Sequence, residues 1–211
     1  MGYGSERRQK IRLLALESRC VIAKESAGWS QEGVVGHFGV GELTRRSSHM
    51  LRQLQSDQYA HDQRNHFDIL CLHKAERLKH YGLHFAKYIG RFARGAAEPK
   101  PFERTITDTF LINLSTANTL AQDLSMETFA VHQHSSNWNM FFIAFADAAG
   151  RFADACEKLD HLEEGVGIAK TANCDITNWI LHAAEDYKLD LEKLIADRRK
   201  ELAARVFYIT G

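Results

Sequence analysis

The chain has 211 residues, 45% of them hydrophobic and 26% charged, with 27 Lys and Arg against 27 Asp and Glu. That length and balance suit one or two globular domains with a sizeable core and exclude disordered and fibrous classes. Neither a bilayer-length apolar run nor a signal peptide is legible in the sequence, which opens "MGYGSERRQKIRLL", so the expectation is a cytoplasmic protein with no membrane partner.

In chain order, residues 6–27 read as a helix with Ile11, Leu14, Val21 and Ile22 near one face. The stretch "GWSQEGVVGHFGVGE" then carries five glycines from Gly28 to Gly41, which suits a loop that closes over a ligand or contacts another subunit, a homodimer included. A short amphipathic helix is expected over 43–58 and a long one over 65–94. In the long helix Leu78, Tyr81, Phe85, Tyr88 and Phe92 recur at steps of three and four, the seam of a bundle. His80, His84, Lys87 and Arg91 form a second stripe beside that seam. Pro99 and Pro101 mark a loop, after which "ITDTFLINLSTANTLAQDLSM" reads as a helix ending near Ala121. Further helices are expected over 139–164 and 172–187, and Asp190 is placed to cap a last one. Period-two alternation never persists, so the fold class is all-α, a helical bundle.

Charge and cysteine usage add constraints. Residues 61–100 hold eight Lys/Arg and five His against four Asp/Glu, whereas residues 147–190 hold four Lys/Arg against ten Asp/Glu. Attraction between two helical layers accounts for this as readily as a binding function does. Cys20, Cys71, Cys156 and Cys174 form no CxxC pair, which argues for idle thiols and against a zinc ribbon or a disulfide framework.

The chain also resembles itself. "GRFA" occurs at Gly90–Ala93 and at Gly150–Ala153, and "DTFLINLSTANTLAQDLSM" from Asp108 aligns without gaps to "DITNWILHAAEDYKLDLEK" from Asp175. In each, an Asp is expected to open a helix and a "DL" pair, Asp123-Leu124 or Asp190-Leu191, to close the unit. The organisation expected is an N-terminal extension over 1–64 and a bundle over 65–211, with one repeat over about 70–126 and the other over about 139–205. Two such units can pair as a four-helix bundle.

The unit resembles the all-α nucleotide pyrophosphohydrolases, the MazG-like and dimeric dUTPase-like superfamily. "CDITNWILHAAEDYKLDLEKLIADRRKEL", from Cys174, is similar to that family's second helix and the basic helix after it. The resemblance implies hydrolysis of a nucleoside triphosphate to monophosphate and pyrophosphate, with Mg²⁺ held by carboxylates from facing helices. Asp175 and Asp108 match the Asp of the family's ExxD, with Ala172 and Thr105 in place of its Glu. Glu157 and Asp160, followed by Glu163 and Glu164, stand for its first-helix carboxylates. In the first repeat His80 and His84 stand where acidic ligands are expected.

The resulting candidates are Glu157, Asp160 and Asp175 as catalytic residues, the same three with Glu164 as Mg²⁺ ligands, and His80, His84, Lys87 and Arg91 as phosphate contacts. Trp138, between Asn137 and Asn139, is a candidate to stack on a base. Two alternatives stay open beside a nucleotide-binding protein. One is an interaction module whose basic stripe docks an acidic partner or a nucleic-acid backbone. The other is a metalloprotein using the i, i+4 pair His80 and His84 with Asp108.

Overall fold

The computed structural model describes residues 39–127, 129 and 138–205. The expected helix over 6–27 and most of the Gly-rich loop lie outside the described residues. Those described hold seven α-helices and no strand: α1 (Gly39–Asn65), α2 (Phe67–Leu70), α3 (Lys74–Arg94), α4 (Phe102–Leu120), α5 (Trp138–Asp160), α6 (Val166–Asp186) and α7 (Leu191–Ala203). The all-α bundle expected from the sequence is therefore present.

Helices α3, α4, α6 and α5 form a ring, each packed on the next and α5 packed back on α3, and α7 lies against α4. The seam of α3 is the one its spacing indicates: Leu78, Tyr81, Phe85, Tyr88 and Phe92 are all buried. Phe85 meets Phe152 of α5 edge-on with ring centroids 5.2 Å apart, and Phe92 meets Phe145 at 5.3 Å. Burying a side chain of this size stabilises the fold by about 1.5–3 kcal/mol. Both "GRFA" stretches thus send their Phe into the core, whereas the "DL" pairs differ: Asp123 heads a three-residue turn and Asp190 caps α7. Asp123 accepts from the Ser125 N–H and Asp190 from the Lys193 N–H, while Leu124 and Leu191 are buried.

Several boundaries differ from those the sequence suggests. The helix expected over 43–58 extends to Asn65, whose side chain bonds back to the His61 carbonyl at 3.1 Å and closes the end. The helix expected over 65–94 is broken after α2. It restarts at Lys74, where the His73 ring accepts from the Ala75 N–H. Helix α5 stops at Asp160 instead of running to 164, because Leu162 takes a left-handed φ of 60° in the turn. Gly165 follows with its Cα so close to α5 that a Cβ there would lie 2.5 Å from the Ala155 carbonyl oxygen.

Neither Asp108 nor Asp175 opens a helix. Helix α4 starts well before Asp108, with Pro101 at its cap and Glu103 in its first turn, and α6 starts at Val166, well before Asp175. Both aspartates are therefore mid-helix. No helix among the described residues is long and apolar enough to cross a membrane. Cys71, Cys156 and Cys174 are free thiols, and burial pushes Cys156 and Cys174 up to about 11, which makes them poor nucleophiles.

Candidate functional site

The stripe on α3 faces a cavity of about 320 Å³. His80, His84, Lys87 and Arg91 all line it, joined by Arg104, Asp108, Leu111, Ile112 and Ser115 of α4, Gln58 and Asp62 of α1, and Arg198 and Leu202 of α7. Lys100 and Arg205 complete the basic part of the wall. Four of the five residues expected to contact a nucleotide are thus gathered in one place. Packing explains it: the stripe borders the seam of α3 rather than opposing it, so it lies beside the contact of α3 with α4, where side chains of α1 and α7 complete the cavity.

One end of the cavity is built around Asp108. Its Oδ1 accepts from Arg198 Nε at 2.7 Å and its Oδ2 from Arg91 Nη1 at 3.3 Å, with Arg104 Nε 3.5 Å from Oδ1. The side chains of Arg198, Arg91 and Asp108 are only 9%, 11% and 12% exposed, so these charges are largely removed from water. Glu201 holds the outer face of Arg104 at 2.8 Å and of Arg198 at 3.1 Å. Two carboxylates therefore serve three guanidinium groups, with Lys87 and Lys100 adding charge to the same wall. Lys87 and Lys100 are exposed, but the excess of guanidinium over carboxylate is partly dehydrated; such an excess attracts an anion, and guanidinium forks match phosphate geometry.

The α3 side chains are tuned to that environment. The Lys87 ammonium donates to His84 Nδ1 at 2.9 Å and lies 4.8 Å from the Tyr88 ring centre, a cation–π contact. Burial, then the charge on Lys87, holds His84 down at about 3, and the same two causes lower His80. Burial, then Arg91, lowers Lys87 itself. Both imidazoles are thus neutral near pH 7, available as hydrogen-bonding groups.

The other end is built around Asp62, which is 5% exposed. Ser115 Oγ donates to its Oδ2 at 2.6 Å and Gln58 Nε2 to its Oδ1 at 2.8 Å. Burial raises this carboxyl to about 6 despite those two hydrogen bonds. Behind it, burial and then His66 hold His61 down at about 4. Sequence spacing gave no sign of Asp62, because it reaches the cavity from α1. Arg198 comes from a helix ninety residues along the chain from Asp108. The i, i+4 pair Arg104 and Asp108 is the local signal that could have drawn attention to this cluster.

The acidic candidates are arranged differently. Glu157, Asp160, Glu164 and Asp175 are all exposed. Asp160 pairs with Lys79 at 3.1 Å, Asp175 with Arg151 at 2.8 Å, and Glu164 accepts from the Gly167 N–H at 3.4 Å. Among the described residues, no three His, Cys, Asp or Glu side chains are placed together to hold a metal ion. The expected Mg²⁺ cage does not fit this arrangement, since two of its four carboxylates face cations and Asp175 lies mid-helix. The His80, His84 and Asp108 set is not assembled either, since Asp108 is spent on arginines.

Trp138 is likewise elsewhere. It heads α5 and packs among Phe102 at 5.8 Å, Phe141 at 5.9 Å, and Phe92 and Phe142 at 6.4 Å, so its ring fills an aromatic cluster and does not line the cavity. No family model, curated protein or solved structure matches this chain.

Proposed function

We propose that the protein binds a nucleotide in this cavity, through its phosphates, without needing the carboxylate-held Mg²⁺ of the pyrophosphohydrolases. The observation that carries this reading is the cluster of Arg91, Arg104 and Arg198 about Asp108, with Lys87 beside it, inside a cavity of about 320 Å³. That volume lies at the small end of ligand pockets, which run from ~300 to ~1,000 Å³. Leu111, Ile112 and Leu202 supply apolar wall beside the charges, as a ligand with both a phosphate and a ring system requires.

The burial of Arg91 and Arg198 favours a small anion over a macromolecular one. A nucleic-acid backbone or an acidic protein is met by exposed Lys and Arg, as Lys87, Lys100 and Arg205 are here, whereas Arg91 and Arg198, which hold Asp108, are only 11% and 9% exposed. Titration calorimetry of the full chain with inorganic phosphate, pyrophosphate and nucleoside mono-, di- and triphosphates tests the reading. Binding is expected to weaken at least tenfold in Arg91→Ala and in Arg198→Ala, a loss of about 1.4 kcal/mol or more. A parallel assay with Mg²⁺ present should detect no pyrophosphate released from any triphosphate. Absence of binding, or binding indifferent to both substitutions, removes the proposal.

A further inference from the structure

The two ends of the cavity differ in chemistry, and α4 fixes the distance between them. Asp108, at the arginine end, and Ser115, which donates to Asp62, are seven residues apart. Seven residues are two helical turns, so both side chains leave the same side of α4 about 10 Å apart along its axis. Leu111 and Ile112 line the wall between. The span suits an elongated ligand with an anion at one end and a different polar group at the other.

The far end specifies that group. An ionised carboxylate is an acceptor only, and each of its oxygens can take more than one donor. Asp62 receives one donor on each oxygen, from Gln58 and Ser115, and it is 5% exposed while lining the cavity. A buried carboxylate is satisfied by donors and penalised by acceptors, so a ligand edge that presents two adjacent N–H donors matches it.

Resting on the reading that phosphate occupies the arginine end, we propose that the cavity selects guanine nucleotides, with Asp62 accepting from the N1–H and the 2-amino group of the base. Hypoxanthine lacks the amino group and leaves one oxygen unmatched. Adenine and cytosine set a ring-nitrogen acceptor beside their amino donor, and uracil flanks its single N–H with two carbonyls. Asp62 is thus a specificity-determining residue, held in position by Ser115 and Gln58.

The test is calorimetric titration of the full chain with GMP, IMP, AMP and inorganic phosphate, in wild type and in Asp62→Asn. GMP is expected to bind about tenfold or more tightly than IMP or AMP, the discrimination that one hydrogen bond to a charged group gives. In Asp62→Asn that preference should collapse while affinity for inorganic phosphate stays unchanged. Equal binding of GMP and IMP by the wild type overturns the proposal without needing the variant to fold. So does a variant that weakens GMP and phosphate by the same factor. If phosphate binds and GMP gains nothing over IMP, the nucleotide-binding reading survives and the guanine assignment falls. If wild type binds no phosphate, both fall.

Discussion

Replacing Asp108 with asparagine removes the negative charge from the centre of the arginine cluster while keeping its shape. Its carboxylate is 12% exposed and its partners Arg91 and Arg198 are 11% and 9% exposed, so the variant strands cations in partly dry surroundings. Deleting one member of a buried ion pair typically costs about 3–5 kcal/mol. Glu201 still holds Arg104 and Arg198 from outside, which places the expected cost near the lower end, about 3 kcal/mol. For a chain of this size each kcal/mol moves the melting temperature by about 2–4 °C, so Asp108→Asn should melt about 6–12 °C below wild type. Circular dichroism at low ionic strength, without multivalent anions, reads this directly. Adding pyrophosphate at about a hundred times its Kd should return about 2.7 kcal/mol and restore most of the loss, because the anion replaces the missing charge. A variant that melts within about 2 °C of wild type, or that sodium chloride of equal ionic strength rescues as well as pyrophosphate does, would refute this electrostatic reasoning.

Asp62 gives a pH dependence. Its carboxyl is held at about 6 in the folded chain against 3.8 when free, so between those values the folded state keeps a proton that the unfolded state has released. Its stabilising contribution is complete below about pH 4 and lost as pH rises through about 6. The stability of Asp62→Asn relative to wild type should accordingly rise by about 2–3 kcal/mol between pH 4 and pH 7 in urea unfolding, and parallel curves would count against the assignment. His61 and His84, held down at about 4 and about 3, act on both proteins in the opposite sense, costing stability as pH falls below 6.5, so the difference isolates Asp62. Asp160→Ala and Asp175→Ala remove exposed pairs with Lys79 and Arg151, so each should cost at most about 1 kcal/mol. Neither should change nucleotide affinity, and calorimetry that finds a tenfold loss would return these carboxylates to the site. Gly165→Ala drives a Cβ to 2.5 Å from the Ala155 carbonyl oxygen, so the turn between α5 and α6 must shift, at about 1–3 kcal/mol in chemical denaturation. An unchanged midpoint would mean that the turn yields freely.

The core was legible in the sequence because helix periodicity is a local signal. The spacing of Leu78, Tyr81, Phe85, Tyr88 and Phe92 gave the buried face of α3, and the position of His80, His84, Lys87 and Arg91 beside it gave one wall of the cavity. The other walls were not legible. Asp62, Asp108 and Arg198 reach the site from three different helices, and only tertiary packing brings them to it. Its place in the repeat marks Asp108 as the opening residue of a helix and a metal ligand, whereas packing makes it a mid-helix counter-ion for arginines. Helical spacing alone cannot place the acidic group on α5 and α6: Glu157 and Asp160 share α5, but that helix ends at Asp160, before Glu164, and Asp160 and Asp175 face Lys79 and Arg151.

The most direct test of an anion site between α3, α4 and α7 is diffraction from crystals of the full chain soaked in pyrophosphate. Density for the anion is expected within hydrogen-bonding distance of Arg91, Arg104 and Arg198. A cavity without the anion at concentrations that saturate binding in solution, or pyrophosphate bound instead beside Asp160 and Asp175, would contradict the account.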